Sequence, residues 1–159
     1  MKTTIKLLLI ALLIGSHAKA ADDHHHKIIP GPRGGKVLES EPLHAEFLVQ
    51  ADKKVRVTFY DESMKPVTPQ SQEIKVIAEV KSGKTILEFE KNGDGFVSKS
   101  ILPEGDGYRV VIQIKNDAAS KPQNFRVEYH DEVCKECKHA EYACICEHAE
   151  GAEHSEHKH

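Results

Sequence analysis

The stretch Tyr108-Arg109-Val110-Val111-Ile112-Gln113-Ile114-Lys115 decides the fold. Tyr108, Val110, Ile112 and Ile114 recur every second residue, with Arg109, Gln113 and Lys115 between them. A period of two places one set of side chains on one face of an extended chain. A helix would need spacings of three and four. The stretch therefore reads as a strand with one face in a core.

The same signal extends in both directions. Downstream, Asn116–Pro122 reads as a loop, and Phe125, Val127 and Tyr129 make a further strand. Upstream, Pro103-Glu104-Gly105-Asp106-Gly107 is a turn, preceded by a strand over Phe96–Ser100. Asn92-Gly93-Asp94-Gly95 is a hairpin signal that joins that strand to Thr85–Glu90, where Leu87 and Phe89 share a face. Ser82-Gly83 turns back to Ile74, Val76, Ala78 and Val80. Pro66-Val67-Thr68-Pro69 reads as a loop, and Val55, Val57 and Phe59 alternate with Arg56, Thr58 and Tyr60. The first strand candidates are Lys36–Ser40 and His44–Gln50, parted by Pro42.

Seven or eight short strands over residues 36–130, with frequent turns and no helical period, predict an all-β fold. An immunoglobulin-like β-sandwich is the expected architecture. No cysteine and no tryptophan falls within those residues, which excludes an antibody-type domain. Tyr108 follows Asp106-Gly107, the setting of a tyrosine corner, whose hydroxyl bonds back to the preceding turn. An ordinary core aromatic is the alternative.

The ends differ in character. Residues 1–20 carry Lys2 and Lys6, an apolar run over Leu7–Ile14 and an Ala18-Lys19-Ala20 cleavage signal, so they read as a signal peptide. The run is shorter than the roughly 20 apolar residues that cross a bilayer. The expectation is an exported, periplasmic or secreted chain with no membrane association after cleavage. Cleavage after Ala20 leaves 139 residues with a net charge of −6, which argues against a nucleic-acid partner. Residues 21–35 hold His24-His25-His26 and Gly31-Pro32-Arg33-Gly34-Gly35 and read as a flexible lead-in ending in a tight turn.

Residues 131–159 form a tail rich in cysteine and histidine. All four cysteines of the 159-residue chain, Cys134, Cys137, Cys144 and Cys146, lie here. Cys137-Lys138-His139-Ala140-Glu141 recurs as Cys146-Glu147-His148-Ala149-Glu150. A Cys-x-x-Cys turn lets two sulfurs reach one ion, and four sulfurs complete the tetrahedral shell that zinc prefers. Thiolates suit Cu(I) equally. The candidate metal ligands are therefore Cys134, Cys137, Cys144 and Cys146, with His139 and His148 as auxiliaries, and Zn or Cu as the ion. His154, His157 and His159 extend a His-rich tract over an end with nothing apolar to bury, for which disorder is expected.

Export supports a competing reading, in which the cysteines pair as disulfides that staple a structural or protein-interaction module of the cell envelope. Val133, Tyr142, Ala143 and Ile145 are the apolar groups through which the tail could dock. His44 and His130, beside or within strands, read as surface or satisfied core histidines, although His44-Ala45-Glu46 echoes the His-Ala-Glu units of the tail. No nucleophile–base–acid set and no phosphate loop is present, so a catalytic role is not expected. A thiol oxidoreductase would place Cys134-x-x-Cys137 at the start of a helix beside a βαβ unit, and no such pattern occurs.

The Gly31-Pro-Arg-Gly-Gly35 turn, the His44-x-Glu46 strand and the Cys-rich C-terminus together resemble small exported bacterial proteins of unassigned function. They are also similar to the periplasmic β-domains of heavy-metal efflux adaptors of the CusB and CzcB type. The resemblance implies metal handling in the envelope, with an efflux or metal-acceptor protein as partner. Arg33 stands where that turn often carries a histidine, which counts against a metal role for residues 31–35.

Overall fold

A computed structural model describes residues 29–146. The proposed signal peptide, His24–His26, His148 and the remaining histidines of the C-terminal tract lie outside them.

The fold is all-β, in two antiparallel sheets. Among the described residues ten strands form in chain order: β1 (Lys36–Leu38), β2 (His44–Val49), β3 (Lys54–Tyr60), β4 (Pro66–Val67), β5 (Glu73–Val80), β6 (Gly83–Leu87), β7 (Phe89–Asn92), β8 (Gly95–Ile101), β9 (Tyr108–Lys115) and β10 (Gln123–Tyr129). One sheet runs β1-β2-β3-β8-β7, with β4 added beside β3. The other runs β10-β9-β5-β6. β9 lies between β10 and β5, and the face its pattern predicts to be covered is buried. Val110 faces Ala78 of β5 and Val127 of β10, Ile112 faces Val76 and Phe125, and all but the half-buried Phe125 are buried.

The strand count exceeds the expected seven or eight for two reasons. Thr85–Glu90 reads as one strand, but the chain divides at Glu88, with β6 in the second sheet and β7 in the first. Leu87 and Phe89 both reach the core, so the alternation carries on across the change of sheet. Pro66-Val67, expected as a loop, pairs with Tyr60 and Phe59. β8 pairs with β3 only as far as Thr58, so β4 occupies the rest of that edge. A two-residue edge strand tolerates a proline because no ladder N–H is needed from it there.

The Tyr108 hydroxyl donates to the carbonyl oxygen of Pro103 at 3.0 Å, the contact that a tyrosine corner requires. The bond ties the start of β9 to the turn before it. Burial raises the Tyr108 phenol pKa to about 12, so it remains a donor at neutral pH.

One face departs from simple alternation. Val57 and Phe59 of β3 point into the core, so Thr58 and Tyr60 should face water, yet both are buried. Their cover is the Gly31–Gly35 turn, which folds over the outer face of β2 and β3. Glu46, paired with Thr58, is 1% exposed beneath it. Its Oε1 accepts from the backbone N–H groups of Arg33 (2.9 Å) and Gly35 (2.8 Å), and Oε2 accepts from the Tyr60 hydroxyl at 2.6 Å. Successive N–H groups of a turn form a concave anion site of this kind. A Cβ at Gly31 would collide with Glu46 Oε1, and one at Gly35 with the Phe47 carbonyl, so the turn needs glycine at both positions. Arg33 and Arg56 then share Asp94 as ion-pair partner over the top.

Glu46→Ala should strand two backbone donors and a phenol. Water can reach part of the loosened turn, so the expected loss is about 2 to 3 kcal/mol. Glu46→Gln keeps one accepting oxygen and should lose about half as much. Chemical denaturation of both variants checks this, and equal losses would show that the carboxylate is not what holds the turn.

Candidate metal centre

After β10 the chain turns back on itself. Val133 bridges Ala140, the Glu141 N–H donates to Glu132 O at 2.7 Å, and the Cys134 N–H donates to His139 O at 2.8 Å. These bonds close a tight loop over residues 134–139. The Lys138 N–H donates to Cys134 O at 3.1 Å, and Lys138 takes a left-handed conformation, with φ of 64°. A side-chain-bearing residue there costs on the order of 1 kcal/mol and is held by its surroundings. The loop brings Cys134 and Cys137 together.

A single 3-10 turn, Glu141–Ala143, returns the chain toward that loop and delivers Cys144 and Cys146. The turn is anchored from below. Tyr142 and Ala143 are buried, the Tyr142 ring meets Phe47 edge-on at 5.8 Å and lies 5.6 Å from Tyr129, and its hydroxyl accepts from the Val49 N–H at 2.9 Å. Of the four apolar residues expected to dock the tail, Tyr142 and Ala143 do so and Ile145 is half-buried. Val133, by contrast, is 62% exposed.

The four sulfurs converge, with their Sγ atoms all within 4.8 Å of one another. Cys134 and Cys146 are separated by 3.8 Å, and Cys137 and Cys144 by 3.6 Å. No disulfide joins them. An ion bound at 2.3 Å by four sulfurs at tetrahedral corners requires edges of about 3.8 Å, so the spacing matches a tetrathiolate shell. Cys134 is buried and the other three are half-buried.

Hydrogen bonding differentiates the sulfurs. Backbone N–H groups of Ile145 and His139 donate to the Cys137 sulfur and lower its pKa to about 6. Loss of water contact raises the Cys144 and Cys146 thiols. In the metal-free cluster Cys137 is therefore a thiolate at neutral pH, while Cys144 and Cys146 keep their protons. A metal ion must displace at least those two protons. Apparent affinity should then rise by at least about a hundred-fold per pH unit between roughly pH 6.5 and 8.5, and more steeply below pH 6, where Cys137 also protonates. Competition titrations against a chelator of known pH dependence check the slope, and a slope of one proton or fewer would contradict it.

The histidines are placed differently. His139 is outside the group of converging ligand atoms: its Nδ1 lies 3.4 Å from the Gly34 carbonyl oxygen, and its ring packs against Gly34. It joins the tail to the turn over Glu46. His130 Nδ1 lies 2.8 Å from Asp106 Oδ2 on an exposed surface. Asp106 also accepts from the Asp131 N–H, which is the main reason its carboxyl is held below the usual range. His44 is half-buried, and its Nδ1 has no hydrogen-bond partner. Glu46, whose motif echoes the tail repeat, has its carboxylate occupied by the three donors beneath the turn and faces no cysteine. Tyr142, one of the apolar residues through which the sequence suggests the tail docks, is its principal anchor.

These features define an all-β protein with a C-terminal cluster of four cysteines able to hold a metal ion. Among the described residues, no helix is long and apolar enough to cross a membrane. No model of a known protein family matches the chain, and neither does any characterised protein or solved structure.

Proposed function

We propose that the protein is exported to the bacterial periplasm, where it binds Zn or Cu and buffers the ion, senses it or hands it on. Cys134, Cys137, Cys144 and Cys146 are the primary ligands, and His139 and His148 act as auxiliaries around them. The observation that carries this reading is the convergence of four unbridged sulfurs at the spacing of a tetrathiolate shell. Three of the four sulfurs are half-buried, which suits an ion that exchanges with an acceptor better than one sealed into a core. The signal-like N-terminus supports export, and the role is binding rather than catalysis. A metal-efflux or metal-acceptor protein of the envelope is the fitting partner.

The test is metal content and thiol titre of the mature chain isolated from the periplasm, by mass spectrometry under native and denaturing conditions. One Zn or Cu per chain, lost on denaturation, is the expected result. Four oxidised sulfurs with no retained metal would replace this reading with that of a disulfide-stapled module.

A further inference from the structure

Two of the sulfur–sulfur contacts link one loop to the other. Cys134 approaches Cys146 at 3.8 Å and Cys137 approaches Cys144 at 3.6 Å, against about 2.05 Å for a disulfide. The two pairs are nested, with 137–144 inside 134–146. Both members of each pair are on short loops, so small side-chain rotations bring either pair into bonding distance. Bridging within Cys144-Ile145-Cys146 would instead close a very small ring.

We infer that the cluster has a second, metal-free state, in which Cys134 is joined to Cys146 and Cys137 to Cys144, and that a hydroperoxide converts the loaded centre to it. This inference rests on the metal-binding reading above and adds its regulation. In each bond-forming event a thiolate attacks the peroxide, taking one oxygen as a sulfenic acid and expelling hydroxide. The paired thiolate then displaces a second hydroxide and forms the S–S bond. Each disulfide gives two electrons to one hydrogen peroxide. For Zn, a tetrathiolate of charge −2 and two hydrogen peroxide molecules yield two disulfides, one Zn²⁺ and four hydroxide ions, which balances atoms and charge. Every sulfur that held the ion is consumed after the second bond forms, so release is complete at two equivalents. The sheets need not move, because Tyr142 remains in its pocket between Phe47 and Tyr129 while the sulfurs exchange partners.

The experiment uses the mature chain, reduced and loaded with Zn²⁺, then titrated with hydrogen peroxide while released Zn²⁺ is read with a chromophoric chelator. Full release is expected at two equivalents of peroxide, with loss of all four thiols and recovery of binding after dithiol reduction. The pairing is read from metal-free double variants. C134S/C146S and C137S/C144S each retain one of the two contacting pairs and should close their bond roughly ten-fold faster than C134S/C144S and C137S/C146S, which retain crossed pairs. Equal or reversed rates would overturn the pairing, and Zn²⁺ retained through complete peroxide treatment would overturn the switch. A reduced chain that takes up no Zn²⁺ is a different result: it defeats the metal-centre reading itself.

Discussion

Cys134→Ser is expected to weaken metal binding severely while leaving both sheets folded. Structural zinc sites bind with an apparent 10 to 16 kcal/mol, so one of four ligands accounts for about 3 to 4 kcal/mol, or a fall in affinity on the order of a hundred- to a thousand-fold. Serine supplies a harder, shorter oxygen in place of a soft thiolate, and a neutral hydroxyl in place of an anion. Cys134 is the most informative of the four. It is the most buried, and its backbone closes the loop twice, through its N–H to His139 O and its carbonyl oxygen from the Lys138 N–H. Those bonds do not involve the sulfur, so the loop should persist in the variant. A chelator competition measures the loss, and far-ultraviolet circular dichroism confirms the sheets.

His139→Ala is the appropriate contrast. The ring lies against Gly34 and outside the converging sulfurs, so its loss should weaken binding by no more than about ten-fold, the lower range for groups that orient ligands without touching the ion. If His139→Ala proved as damaging as Cys134→Ser, the histidine would have to leave Gly34 and enter the shell when the ion binds.

How far this arrangement can be read from sequence depends on the range of the contacts involved. β9 and β3 are legible because alternation is a local property, and each strand carries its own record of which face is covered. The burial of Thr58 and Tyr60 is not legible in that way. It results from a turn more than twenty residues upstream, whose glycines suggested only a lead-in. The break at Glu88 is hidden for a related reason: Leu87 and Phe89 keep their alternation although their strands belong to different sheets. The four cysteines were evident as a group because no others exist. Their spacing pattern left metal and disulfide equally open, since both demand nearby sulfurs. Separations of 3.8 and 3.6 Å show unbridged sulfurs gathered closely enough to hold an ion, and only the folded chain defines those distances.

Tyr142→Ala should show that the metal centre and the two sheets are one cooperative structure. The side chain fills a site lined by Phe47 and Tyr129, and its hydroxyl accepts the Val49 N–H. Truncating a buried aromatic costs about 3 to 5 kcal/mol, which corresponds to a drop in Tm on the order of 10 °C for a domain of this size. Tyr142→Phe keeps the ring and orphans one backbone donor, for a loss of about 1 kcal/mol. The effect on the metal follows from position. Tyr142 is two residues before Cys144, and the same turn holds the chain through Glu141 N–H to Glu132 O and Tyr142 N–H to His130 O. Once the ring is gone, the turn loses its anchor, and Cys144 and Cys146 must be ordered by the ion alone. Fixing the backbone of even one or two more residues on binding costs about 1 to 2 kcal/mol each, so metal affinity should fall at least ten-fold although no ligand has been altered. Thermal unfolding with and without Zn²⁺, in wild type and both variants, separates the two contributions. If Tyr142→Ala loses its stability but binds Zn²⁺ with undiminished affinity, the tail folds around its ion independently of the sheets, and docking serves only to hold it in place.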